Sequence, residues 1–510
     1  MSILSSLFQW LFGRPDPQPT PEPSIPRATI AVVVTDTDGA PLVGATFRIN
    51  EELRRATDEN GYAAIEVNQG DVYYAVECDK YVAVHSKILL TQNTQIPVTL
   101  SREIPVVERP LVGRLRIEQN AFVDDTGLVL PLFAHAGDLF ALWTRDRDRV
   151  RGQLNLLAQA GYHGVRVWTL LSGPYWEKMH GGRTVNPGST PNYWTEWRDF
   201  VQECADRKLR LVVSQGDIGT LGDNMTDRKA FAVKLAEVGR AVDSTGYVYA
   251  FFDGGNEAWQ TGEPDPVRLA QFVQAYKSAG GTALLTLTSP RTEEVEELDA
   301  FSIDPADCYD VHGSRDGRFW DKIRHIFSIA YEGKPKRKLG IQSEPNGSGN
   351  LVSVTTNKQE LNDEAIVALA LQSLIARQSY VWFSGEGVSI DKGLQVENGF
   401  WNAPKVCALL PKDVMTYGTL HHSGDTWSQL RIVDQGISHE VRVDGARHND
   451  GRCVYLFYGE PGTHQFRAAR NFSGTFYHPS TGEGTPVSKK AGDVFSVSWD
   501  RARLFVGRVN

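Results

Sequence analysis

Positive charge is in short supply in this chain. Lys and Arg number 53 against 62 Asp and Glu, a net charge of -9 over 510 residues. A net charge of this sign gives no basic excess to neutralise phosphate, which argues against a nucleic-acid partner. Cysteine is scarce too: Cys78, Cys204, Cys308, Cys407 and Cys453 are scattered, odd in number and form no CxxC pair. That pattern gives neither a disulfide framework nor a zinc site, so no metal is expected. No apolar run is long enough to cross a bilayer. The first residues lack a basic start and a small-residue cleavage site, so a signal peptide fits poorly.

What is present is a large apolar fraction, 41%, enough for several cores in a chain of this length. Residues 1–13 place Ile3, Leu4, Leu7, Phe8, Leu11 and Phe12 at helical spacing. This predicts a short amphipathic segment that docks on a protein partner or a membrane surface, or else a frayed terminus. Residues 14–27 follow as a proline-rich linker, RPDPQPTPEPSIP, stiff and extended. Residues 28–101 read as short strands separated by Asp/Gly turns, a β-sandwich. The runs TDTDGAPLVGATFRI and TDENGYAAIEV resemble transthyretin-like or carboxypeptidase-regulatory-like modules, which usually space or bind. Asp36, Asp38 and Asp58 suit calcium on paper, but turn chemistry explains them more simply.

From 110 to 417 the texture changes. Short apolar runs alternate with helix-spaced ones eight times: 130–133, 164–171, 209–214, 247–252, 283–287, 308–312, 339–342 and 379–383 read as the strands. Strictly alternating units demand a parallel sheet, and eight of them predict a (β/α)8 TIM barrel. Residues 418–510 return to short strands and predict a C-terminal β-sandwich. The fold class is therefore multidomain, α/β plus all-β, with the barrel flanked by the two sandwiches.

Chemistry in such barrels sits at the C-terminal strand ends. Those ends supply His135 and Asp138, Arg166 and Trp168, Gln215 and Asp217, Asn256 and Glu257, His312, Glu344, and Trp382 with Glu386. Carboxylates, amides, flat rings and an arginine suit a sugar, whose hydroxyls need polar partners and whose apolar face needs a ring. Asp138, Asp217 and Glu386 also read as turn or cap residues. Trp259, with Tyr175, Trp176, Trp194 and Trp197, lines either a cleft or the core, and His421-His422 reads as surface.

Asn256-Glu257 after the fourth strand and Glu344 after the seventh resemble the arrangement of the retaining clan A glycoside hydrolases, closest to the cellulase-like members. Arg166, His312 and Trp382 match further positions of that pattern. Ala258 stands where the clan often has proline, and Ser314 where a tyrosine commonly bonds the nucleophile. The resemblance implies hydrolysis of a β-linked poly- or oligosaccharide without a cofactor. Glu344 is then the nucleophile and Glu257 the acid/base. Asn256, Arg166, His312, Trp382, Trp168, Asp138 and Trp259 are the expected substrate-binding set. Two other readings stand beside it. One is a barrel acting on a phosphorylated substrate, suggested by the glycines after strands seven and eight, but no lysine stands at a strand end. The other is a non-catalytic carbohydrate-binding or structural component. The N-terminal segment and linker predict attachment to a larger assembly, outside the cell, at a cell surface or on a virion.

Overall fold

The computed structural model describes residues 26–36, 39–50, 53–78, 84–100, 113–172, 184–291, 295–312, 326–330, 339–344, 363–382, 398–422, 431–436 and 441–510. The expected segment 1–13, most of the linker 14–27, and Tyr175, Trp176, Ser314 and Glu386 lie outside these. The chain divides into two compact units, Met1–Arg102 and Glu103–Asn510.

The first unit is the expected sandwich. One sheet orders Tyr62–Asn68, Arg27–Asp36 and Thr94–Leu100; the other orders Leu53–Ala56, Thr46–Ile49, Gly70–Glu77 and Val84–Leu90. Alternate residues of Arg27–Asp36 turn inward, so Ile30, Val32 and Val34 meet Phe47, Ile49, Val72 and Val76 in one core. The Asp36 carboxylate accepts from the Ala40 N–H at 2.9 Å. That of Asp58 accepts from the N–H groups of Asn60 and Tyr62. Both carry out turn chemistry; Asp38 lies outside the described residues.

The second unit is built on eight parallel strands: β1 (Leu132–His135), β2 (Gly164–Trp168), β3 (Arg210–Ser214), β4 (Tyr249–Asp253), β5 (Leu284–Thr286), β6 (Tyr309–His312), β7 (Gly340–Glu344) and β8 (Gln378–Trp382). They hydrogen-bond in the order β5-β4-β3-β2-β1-β8-β7-β6. The remaining seam is bridged just before β6, where the N–H groups of Asp307 and Cys308 donate to the Leu285 carbonyl at 2.8 and 3.1 Å. Every strand residue except His312 is buried, as strands covered on both faces must be.

The helices fall where apolar spacing puts them. Among them are α1 (Arg147–Ala160), α2 (Tyr193–Asp206), α3 (Met225–Val242), α4 (Pro266–Ser278) and α5 (Asp363–Ile375). Caps fix their starts: the side chains of Asp146, Asn224 and Asp265 accept from the N–H groups of Arg149, Thr226 and Val267. A small antiparallel sheet, Arg116–Glu118, Ala121–Asp124 and Gly127–Val129, precedes β1. Phe122 from it packs edge-on against Phe251 of β4, which also meets Phe133 of β1. The barrel axis is thus filled from the side of this small sheet.

The C-terminal strands form a six-stranded and a three-stranded sheet packed over Phe457, Phe466, Phe472, Phe495, Trp499 and Phe505. The six-stranded sheet's other face joins the barrel's own core through Val454, Leu456, Tyr458, Ala502 and Leu504. The barrel and this sandwich are one packed body. His421 is buried rather than on the surface. His422 bonds the buried Asp444 at 2.9 Å, because this interface covers both.

Candidate active site

β4 ends in Asp253, and the chain then turns through Gly254 and Gly255. A side chain at Gly254 would sit 2.5 Å from the Leu287 carbonyl oxygen, so the chain can pass only as glycine. Asn256 is then held by its N–H donating to the Gln215 carbonyl at 2.8 Å. Glu257 adopts left-handed backbone angles (φ 44°, ψ 52°), uncommon for a residue with a side chain and frequent where strain serves a site. The short helix Ala258–Thr261 starts at once, with the Ala258 N–H on Thr288 Oγ1 and Thr261 Oγ1 donating to the Asn256 carbonyl. These contacts lock the turn that presents Glu257.

Arg166 of β2 is fully buried and serves several acceptors. Its Nη1 donates to Glu344 Oε1 at 3.0 Å, and its Nη2 to Asn256 Oδ1 at 2.8 Å. Nη2 also faces Asp253 Oδ2 at 3.5 Å, and Nη1 lies 3.3 Å from His135 Nδ1. Ser214 Oγ donates to Asp253 Oδ2 at 2.6 Å. One planar guanidinium therefore ties the ends of β1, β2, β4 and β7 together.

His312 lies between the two glutamates. Its Nδ1 is 3.1 Å from Glu257 Oε1 and 3.7 Å from Glu344 Oε2. A carboxylate oxygen of Glu257 and one of Glu344 lie within 4.8 Å of each other. On its other side His312 Nε2 is 2.9 Å from Ser343 Oγ, which donates to Asp310 Oδ1 at 2.6 Å. Regular alternation turns Ser343 and Glu344 to opposite faces of β7. The β6–β7 register shifts between Val311 and His312, and at that irregularity Ser343 meets both partners.

The charges follow from this packing. Burial works against ionised Glu344, but His312 and Arg166 outweigh it and hold the carboxyl below its ordinary range. Burial likewise opposes the His312 cation, yet the charges of Glu344 and Glu257 raise its pKa. Burial, with Asp310 adding to it, pushes Asp253 up to about 7. Asp310 is raised chiefly by burial. Among the described residues, Glu257, His312 and Glu344 are the group whose donor atoms cluster tightly enough for a cation. The Arg166 guanidinium, 3.0 Å from Glu344, already supplies positive charge there, so the trio is better suited to holding protons than a metal.

Of the sequence-predicted residues, the structure brings Glu257, Glu344, Asn256, Arg166 and His312 into one contact network. Trp168 lies beside it, edge-on to His135 at 5.4 Å. Its indole is slotted between Gly137 and Gly216, where an added Cβ would sit 2.7 and 2.8 Å from ring atoms. Trp382 ends β8 next to β1, through the pair Ala134–Trp382, and is buried. Asp138 is buried at the start of the helix Leu139–Trp143. Trp259 is half-buried on the helix after Glu257. Trp197 belongs to the core, donating to Tyr249 Oη at 2.8 Å. Sequence reasoning gave no role to Asp253, Asp310, Ser343 or Ser214. The available signal was a carboxylate inside an apolar strand, as in Tyr309-Asp310-Val311.

No family model matches the sequence, and no curated protein matches it. Solved structures do match. One described as a glycoside hydrolase has a TM-score of 0.55 at 15% identity, covering 78% of this chain and 97% of its own. A glycoside hydrolase family 5 structure from Bacteroides vulgatus has a TM-score of 0.56 at 16% identity, covering 78% and 94%. Another Bacteroides vulgatus structure, also described as a glycoside hydrolase, has a TM-score of 0.53 at 11% identity and covers 95% and 98%. At such identities the likeness speaks for the fold alone.

Proposed function

We propose that the protein is a retaining glycoside hydrolase acting on a β-linked poly- or oligosaccharide, with Glu344 as nucleophile and Glu257 as acid/base. The observation that carries this is the approach of the two carboxylates, oxygen to oxygen within 4.8 Å, at the C-terminal ends of the barrel strands. Retaining pairs stand about 5 Å apart, whereas inverting pairs leave several ångströms more for a water.

Arg166 keeps Glu344 ionised, ready to attack the anomeric carbon. Glu257 protonates the glycosidic oxygen as the C–O bond breaks and the ester to Glu344 forms. The ester has lost its negative charge, so Glu257 now ionises more easily. It takes a proton from water, which attacks the same carbon and releases Glu344. Asn256, oriented by Arg166, is available to the sugar 2-hydroxyl. Trp168, Trp382, Trp259 and Asp138 belong to the proposed sugar-binding surroundings. Residues 1–13 are proposed to tether the enzyme to a protein assembly or a membrane surface, outside the cell, at a cell surface or on a virion.

The test is hydrolysis of a panel of aryl β-glycosides and β-linked polysaccharides. Glu344→Ala and Glu257→Ala should each lose roughly 10²–10⁴-fold or more in kcat. NMR of the first-formed product should show the β-anomer. Turnover that survives Glu344→Ala, or an inverted product, would overturn the assignment.

A further inference from the structure

The contacts around His312 extend past the two glutamates into the barrel wall. Asp310 Oδ1, Ser343 Oγ, His312 Nε2, His312 Nδ1 and Glu257 Oε1 form one line, with links of 2.6, 2.9 and 3.1 Å. Asp310 and Ser343 are both buried. Ser343 has a single hydroxyl hydrogen and gives it to Asp310. Towards His312 it can only accept, so His312 Nε2 must carry a hydrogen. That leaves Nδ1 as the titrating nitrogen, and Nδ1 faces Glu257.

We infer, resting on the glycosidase reading above, that Asp310 and Ser343 are positioning residues that fix the His312 tautomer and raise its basicity, so that His312 Nδ1 and Glu257 share the catalytic proton. In the first step that proton leaves the Glu257–His312 pair for the glycosidic oxygen. In the second the pair regains one from the attacking water. No proton passes through Ser343; the dyad acts through charge and orientation. Among the described residues, the charged groups facing His312 are Glu257 of the β4 turn, Glu344 of β7, and Asp310 on its own strand. Arg166 and Asp253 complete the charge set around Glu344 and Asp310. Glu344 and Glu257 already raise His312, and Asp310 adds to them. Removing the Asp310 charge lowers the affinity of the pair for its shared proton.

The experiment compares full-length wild type, Asp310→Asn, Ser343→Ala and Ser343→Thr by kcat/KM against pH. Asp310→Asn and Ser343→Ala should move the alkaline limb down by about one pH unit, while Ser343→Thr, which keeps the hydroxyl, should restore it. The loss should be larger with phenyl glycosides, which need the proton, than with 2,4-dinitrophenyl glycosides, which do not. A uniform fall at every pH and for both leaving groups would mean a merely structural role and overturn the inference. A second readout does not depend on turnover: ¹⁵N spectra of histidine-labelled protein, with His312→Gln for assignment. Nε2 should stay protonated, and Nδ1 should titrate at lower pH in Asp310→Asn than in wild type. The opposite tautomer, or an unchanged titration, overturns the inference. A wild type inert on every glycoside overturns the proposed function instead, and the spectra still decide the tautomer.

Discussion

At the scale of the residue, the site depends on one cation serving two strand ends. Arg166 reaches Glu344 with Nη1 and Asn256 with Nη2, and it is fully buried. Lysine carries the same charge but is a single point with no fork, so it cannot span both acceptors. Arg166→Lys should cut kcat/KM sharply and destabilise the fold by about 3 kcal/mol, as expected when a buried pair loses its geometry. Urea titration of the variant checks the second figure. Asp253 makes a separate prediction about pH. Burial, with the Asp310 charge adding to it, pushes its pKa in the folded chain up to about 7, well above the ordinary carboxylate range. The folded state therefore holds this proton more tightly than the unfolded one does. Its contribution is most favourable below pH 4 and is lost as pH rises towards 7 and beyond. Asn at this position cannot ionise. The melting temperature of wild type relative to Asp253→Asn should therefore fall between pH 5 and pH 8; a difference independent of pH would refute the buried, proton-holding Asp253.

At the scale of the element, what the sequence discloses depends on where a side chain finds its partner. Glu344 is the last residue of β7 and Glu257 follows β4 through a glycine turn, and a charged residue at a buried strand's exit is visible without coordinates. The eight strands are legible for the same reason, with ends shifted by two residues or fewer except at Gly164–Trp168. There Thr169 to Leu171 are also apolar enough to extend the run but lie beyond the ladder. Ser343 and Asp310 are not legible as a pair. They lie 33 positions apart, and a register shift between β6 and β7 brings them together. Periodicity cannot foresee such a shift. Glu364 shows the same limit at the interface between barrel and sandwich. It sits in the first turn of α5, and its Oε1 accepts from the N–H groups of Arg501 and Ala502 at 2.8 and 2.7 Å. Glu364→Ala would strand two N–H groups in a covered interface, at a cost of about 2 kcal/mol. Glu364→Gln keeps a carbonyl acceptor and should lose less. Thermal unfolding of the two variants distinguishes a docking carboxylate from a surface charge.

At the scale of the whole molecule, the two β-modules stand in different relations to the barrel. The C-terminal sandwich shares the barrel's core, with Val454, Leu456 and Leu504 packed into it, so cutting the chain after the last barrel helix would expose that face. The N-terminal sandwich closes its own core around Val32, Phe47 and Val76 within the separate unit Met1–Arg102. A protein lacking residues 1–102 should therefore fold, melt in one transition and hydrolyse a small soluble aryl glycoside as the full chain does. If the proposed tether is real, the same truncation should fail to sediment with its assembly or with vesicles, and it should lose activity only on substrate displayed there. Loss of activity on the soluble glycoside would mean instead that the first unit helps build the catalytic body. The two sandwiches, alike in sequence texture, would then differ less in role than their separate cores imply.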